Sequence, residues 1–113
     1  MTPGTVGQSG LPGAVVTYTL SVTNTGNAAD TFAVTITGNA FGTTAPLAVG
    51  PLAAGASSIL EVAVTIPAGT PAGTSDTATV TVKSQGNNAI TADANLTTAV
   101  WYGVFLPIVL FLP

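Results

Sequence analysis

The chain has 113 residues with one Lys, no Arg, four Asp or Glu and neither His nor Cys, for a net charge of −3. This excludes a nucleic-acid binder, which needs a basic surface. It also excludes disulfides, thiolate metal sites and any triad or phosphate clamp built on His, Cys or Arg. Hydrophobic residues make up 47% and charged ones 4%, against about 25% charged in a typical soluble domain.

Residues 1–13, with Gly at 4, 7, 10 and 13 and Pro at 3 and 12, read as an irregular lead-in in which Thr5-Val6 pairs briefly. Residues 14–24 alternate strictly, placing Val16, Tyr18, Leu20 and Val22 on one face and Thr17, Thr19, Ser21 and Thr23 on the other, the period of a half-buried strand. Asn24-Thr-Gly-Asn27 is turn chemistry. The alternation resumes over residues 31–37 with Phe32, Val34 and Ile36 inward.

Residues 38–55 are less regular. Phe41 is expected to plug one end of the core, and Leu47, Val49 and Leu52 mark a short extended crossing. Residues 57–66 form a clear strand with Leu60, Val62, Val64 and Ile66 inward, stopped by Pro67-Ala-Gly-Thr-Pro-Ala-Gly73. Residues 74–84 follow with Ala78, Val80 and Val82 inward, then residues 89–100 with Ala92, Ala94, Leu96 and Thr98 on the inner face. Short strands with frequent turn signals and no helical period predict an all-β, antiparallel β-sandwich of about seven strands. It is expected to occupy residues 14–100 as one domain.

From residue 101 the pattern changes. Residues 101–113 are apolar on both faces, interrupted by Gly103 and Pro107. The stretch falls short of the roughly 20 residues that cross a bilayer as a helix, and reads as an extended strand buried on both sides. Its eight large apolar side chains, at ~2 kcal/mol each, stabilise by roughly 16 kcal/mol when fully buried. Ordering about ten residues costs ~10–20 kcal/mol, so burial of one face alone does not suffice. Three readings stay open: a last strand of its own sheet, a retention or membrane-surface peptide, or a strand donated to a neighbour.

Several stretches together resemble a bacterial and archaeal Ig-like module, found in tandem in surface proteins and beside secreted glycosidases. They are Pro12-Gly-Ala-Val-Val-Thr-Tyr-Thr-Leu-Ser-Val-Thr-Asn-Thr-Gly-Asn27, Ala29-Asp-Thr-Phe32, Leu52-Ala-Ala-Gly-Ala56, Val64-Thr-Ile-Pro-Ala-Gly69 and Ala72-Gly-Thr-Ser-Asp-Thr-Ala78. The resemblance implies an Ig-like sandwich that acts as a spacer, stalk or adhesive unit. It also implies a first strand ahead of Thr5, often of a Tyr-Gly-Val-x-Leu-x-Pro kind. Tyr102-Gly-Val-Phe-Leu-Pro107 looks like that strand, placed at the opposite end.

The expected function is therefore structural: an extracellular, cell-surface filament subunit that polymerises head to tail by donating its C-terminal strand. The alternative is a spacer or adhesive module of a larger secreted protein. The expected donor residues are Tyr102, Val104, Phe105, Leu106, Ile108, Val109 and Leu110. The expected acceptor groove lies beside Val16, Tyr18, Leu20 and Val22, with residues 5–10 continuing the completed edge. Copies of the chain are the expected partners; a nucleic acid, a membrane, a small-molecule substrate, a metal and a cofactor are not. Met1-Thr-Pro-Gly carries no signal-peptide pattern, and a mature form with its leader removed is the favoured expectation. Asn95-Leu-Thr97 is a candidate glycosylation sequon, as chance triplets in a Thr-rich chain also are. Asp76 and Asp93 form the one carboxylate pair offered to a hard cation, with solvated turn polarity as the plainer reading. Trp101 and Tyr102 alternate in direction on a strand, which suits packing better than a sugar platform.

Overall fold

The computed structural model describes residues 1–87 and 89–101. Its eight strands are β1 (Thr5–Gly10), β2 (Val15–Thr23), β3 (Asp30–Thr37), β4 (Gly42–Thr44), β5 (Ala48–Leu52), β6 (Ser57–Thr65), β7 (Ser75–Ser84) and β8 (Thr91–Val100), with no helix among the described residues. One sheet has the order β1-β8-β7-β3-β5 and the other β2-β6-β4. The alternation read from sequence sets the inner faces. Tyr18, Leu20, Leu60, Val62, Ile66, Val80, Ala94 and Leu96 have no exposed surface, and side chains from both sheets form one apolar cluster.

The expected antiparallel architecture holds for every pair except one. β1 runs parallel to β8, from Thr5 opposite Asn95 to Gly10 opposite Val100, so the larger sheet is mixed. This also corrects the irregular lead-in expected over residues 1–13. Glycines hide the strand signal there, because the pairing is made by backbone and needs no side-chain pattern. Gly10 suits the place where β1 nears the seam between the sheets. A Cβ at that position would lie 3.0 Å from both Ile66 Cδ1 and Val16 Cγ2.

Gly50 has a similar role at the opposite edge. Its φ of 118° and the 3.0 Å from a built Cβ to the Asp30 carbonyl reserve the position for glycine. The β3–β5 register shifts beside it, between Asp30 and Phe32. Phe41 is buried as expected, fastened by Asp76, whose carboxylate accepts the Ala40 and Phe41 N–H groups at 2.8 and 3.1 Å.

The strands define two poles. At one, β2 and β7 end while β3 and β8 begin. At the other, β2 begins, β8 ends, and Trp101 N–H donates to the Gly10 carbonyl at 3.0 Å. Between the poles the two sheets are joined by Tyr18. Its hydroxyl lies 2.8 Å from Thr98 Oγ1 and donates to the Thr97 carbonyl at 2.8 Å. Tyr18→Phe is expected to cost ~1–3 kcal/mol, the penalty of leaving buried polar atoms unpartnered. Tyr18→Ala is expected to cost ~3–5 kcal/mol through the added cavity, whereas the exposed Thr19→Ala should stay within ~0.5 kcal/mol. Urea denaturation of the three variants checks the order.

Candidate functional site

Four strands border the sheets, and three are poor templates for another strand. β4 has three residues, β5 contains Pro51, and β1 is short with two glycines. β2 is different: nine residues, VVTYTLSVT, with no Pro, Gly or charge. One edge of β2 pairs with β6 along its whole length. On the other, Thr2 exchanges two hydrogen bonds with Ser21, N–H to carbonyl at 3.0 Å and 2.7 Å. Gln8 Nε2 donates to the Thr17 carbonyl at 2.8 Å, closing the edge toward β1. Backbone groups on this side alternate with period two. Thr23, two residues beyond Ser21, therefore faces the same way, and among the described residues it meets no backbone partner there.

Beside Thr23 the molecule opens into a cleft of about 310 Å³. Its apolar walls are Met1, Val22, Phe32, Val82, Ile90 and Ala92, with Thr23–Gly26, Asp30, Ser84 and Thr91 forming the polar part. Met1 packs against the core, and Ile90 is exposed on the rim. The polar groups are mostly committed to the fold. Asn24 donates to the Ala28 and Leu52 carbonyls and accepts from Gly26 N–H, all at 2.9 Å. Asp30 accepts from Ser84 Oγ, from Thr31 N–H at 2.8 Å and from Gly86 N–H at 3.1 Å. The Ser84 hydroxyl, followed by these backbone donors, holds the Asp30 carboxyl below its ordinary value of 3.8. With the Asp30 carboxylate satisfied, the cleft offers an incoming group apolar contact and one backbone edge.

The expected acceptor residues fall differently from the reading of a groove along the whole strand. Val16, Tyr18 and Leu20 are buried in the core, so an incoming strand meets the backbone of β2 and not their side chains. Val22, also buried, contributes to the cleft wall. The expected donor residues Tyr102, Val104, Phe105, Leu106, Ile108, Val109 and Leu110 lie outside the described residues. Trp101 is 54% exposed at the opposite pole.

Asn95 is exposed on the outer face of β8, its Oδ1 accepting from Thr79 Oγ1 at 2.9 Å. Asp76 and Asp93 do not meet. They lie opposite Thr98 and Thr81 respectively, which separates them by ~17 Å along the sheet, and Asp76 is buried while Asp93 is exposed. No trio of metal-ligating side chains occurs among the described residues. Sequence reasoning missed Thr2, Gln8 and Asp30. Their partners lie 19, 9 and 54 residues away, and no local motif announces them.

No protein-family model and no curated protein matches the chain. Among solved structures it is similar to the secreted serine protease VesC from Vibrio cholerae, with 19% identity and a TM-score of 0.51 over 83% of this chain and 21% of that one. The VesB protease of Vibrio cholerae matches with 19% identity and a TM-score of 0.49, over 85% of this chain and 30% of that one. The chain thus spans about a fifth of VesC, and that likeness bears on the fold alone.

A carboxylate held below its ordinary value stabilises the fold above that value and loses the contribution as pH falls through the folded one. Asp30→Asn should therefore lower the melting temperature at pH 7, and the gap to wild type should narrow below about pH 4. Thermal melts from pH 7 to pH 2 measure it.

Proposed function

We propose that this chain is a non-catalytic structural unit of Ig-like sandwich fold. In this reading it assembles head to tail into an extracellular, cell-surface filament by donating its C-terminal segment to a neighbouring copy. The strand order supports the fold. β2-β6-β4 opposing β3-β7-β8, with a leading strand on the outer edge of β8, is similar to the layout of an Ig-type sandwich.

One observation carries the assembly. The chain leaves β8 toward its apolar C-terminal segment at one pole, while the open Thr23 edge and its apolar cleft lie at the other. A segment that needs enclosure on both faces and an apolar cleft are then brought together by stacking copies in line. Exposed strand edges of this kind are used for recognition by strand addition. Copies of the chain are the partners, and no nucleic acid, small-molecule substrate or cofactor enters the mechanism. The outer Thr-rich face, including Asn95, stays free to carry glycans.

The VesC likeness favours a second reading. There the matching region takes up 21% of a longer secreted chain, which suits a spacer or adhesive module within a larger secreted cell-surface protein. Electron microscopy and size-exclusion chromatography of the 113-residue chain separate the two. The filament reading expects fibres, lost when residues 101–113 are deleted. A monodisperse monomer at micromolar concentration would overturn it and leave the spacer.

A further inference from the structure

We propose that Asn95 is the acceptor of an N-linked oligosaccharide, and that the transfer precedes the building of β8 into its sheet. The donor is a lipid diphosphate-linked oligosaccharide, and Asp93 is the residue by which a transferase selects the site. This rests on the extracellular placement that both readings of the function share.

Asn95-Leu-Thr97 is the one Asn-x-Ser/Thr triplet in the chain. Asp93 stands two places before the asparagine, and no other asparagine of the chain has an acid there. Successive side chains of an extended segment alternate in direction, so Asp93, Asn95 and Thr97 share one side. That side presents a carboxylate, the acceptor amide and a hydroxyl in line. To an enzyme that binds the segment extended, the carboxylate offers charge-assisted hydrogen bonds beside the reacting amide. In the transfer, Asn95 Nδ2 bonds to the anomeric carbon of the sugar as that carbon's bond to the diphosphate oxygen breaks. The lipid diphosphate leaves with the electron pair, and one amide proton passes to a base on the transferase.

The folded sheet leaves room for the product. Asn95 is exposed on the outer face of β8. Its Oδ1 accepts from Thr79 Oγ1 at 2.9 Å, and its Nδ2 makes no hydrogen bond among the described residues. Its cross-strand neighbours are the short Thr79 on β7 and Thr5 on β1. One row further, Gly7 lies opposite Thr97 with no side chain at all. A sugar on Nδ2 therefore extends into solvent over small residues.

The same sheet closes the site to a transferase. β8 is paired along both edges, by β7 and by β1, so no free backbone edge remains for an enzyme that must hold the segment extended. The side chains are also engaged sideways. Thr81 donates to Asp93 Oδ1 at 2.8 Å, and Thr97 Oγ1 lies 3.1 Å from Thr77 Oγ1. Acid, amide and hydroxyl are all available together only while the segment is unpaired.

The test uses the full 113-residue chain, made by cell-free synthesis. A detergent-solubilised bacterial oligosaccharyltransferase and an isoprenyl diphosphate-linked oligosaccharide are added either during synthesis or after folding, and mass spectrometry maps the product. The expected result is one oligosaccharide on Asn95 when the enzyme is present during synthesis, and several-fold less on the folded chain. Asn95→Gln should abolish the product and Thr97→Ser should keep it. Asp93→Ala should lower it several-fold, with Asp93→Glu restoring it. The arm with enzyme present during synthesis reads the chain before it folds, so a variant that misfolds still reports. No transfer in either arm overturns the acceptor, and equal transfer in both overturns the order of events. Undiminished transfer to Asp93→Ala overturns the part given to Asp93. Recovery of the chain from the cytoplasm of its own cells overturns the extracellular placement, a failure that the cell-free result keeps distinct from failure of the acceptor.

Discussion

β8 is hydrogen-bonded on both sides, by β7 along one edge and by the parallel β1 along the other. Much of the molecule's layout follows from that. To reach β8, the leading segment leaves β2 after a single bridge at Thr2 and crosses to the other sheet within Pro3 and Gly4. The crossing leaves β2 upstream of Ser21 with only the Gln8 contact at Thr17, and a cleft opens beside Thr23 where the two sheets part. The same double pairing closes β8 to any further strand. Whatever follows Val100 cannot add to the strand it has just left.

The interior needs little help from charge. Its polar atoms are few and partnered: Tyr18 reaches Thr97 and Thr98, Asp76 holds the loop of Phe41, and Asn24 ties the turn after β2 to the end of β5. No buried side-chain polar atom among the described residues lacks a hydrogen bond. This matters in a chain with so few ion pairs available, because an unpartnered buried donor costs more than a made bond contributes. The outer face of the larger sheet uses neutral pairs instead, Thr77 with Thr97, Thr79 with Asn95 and Thr81 with Asp93.

What could be read in the sequence was whatever depends on period two. Residues 14–24, 57–66, 74–84 and 89–100 show their inner faces as alternating Val, Leu, Ile and Ala, and the structure buries those faces, with Ala92 partly exposed. β1 escaped because its pairing is written in backbone, with glycines where a pattern would be. The contacts on the free edge of β2 are hidden for a related reason. Sequence shows which face of β2 is apolar, but not that Gln8 and Thr2 meet its free edge at Thr17 and Ser21. Asp76 and Asp93 looked alike as isolated acids, yet strand parity sends one inward to cap a loop and the other outward to a threonine.

Edge chemistry gives the last step. Natural sheets guard exposed edges with charge, proline, bulges or short strands. Here β5 has Pro51 and a register shift, and β4 is three residues long. β2 has none of these devices, and its neighbours cover it only in part. The rim of its open end adds exposed Ile90 and half-buried Met1. A nearly uncharged chain thus protects its minor edges by proline and shortness, while its longest edge is met, among the described residues, only at Thr17 and Ser21.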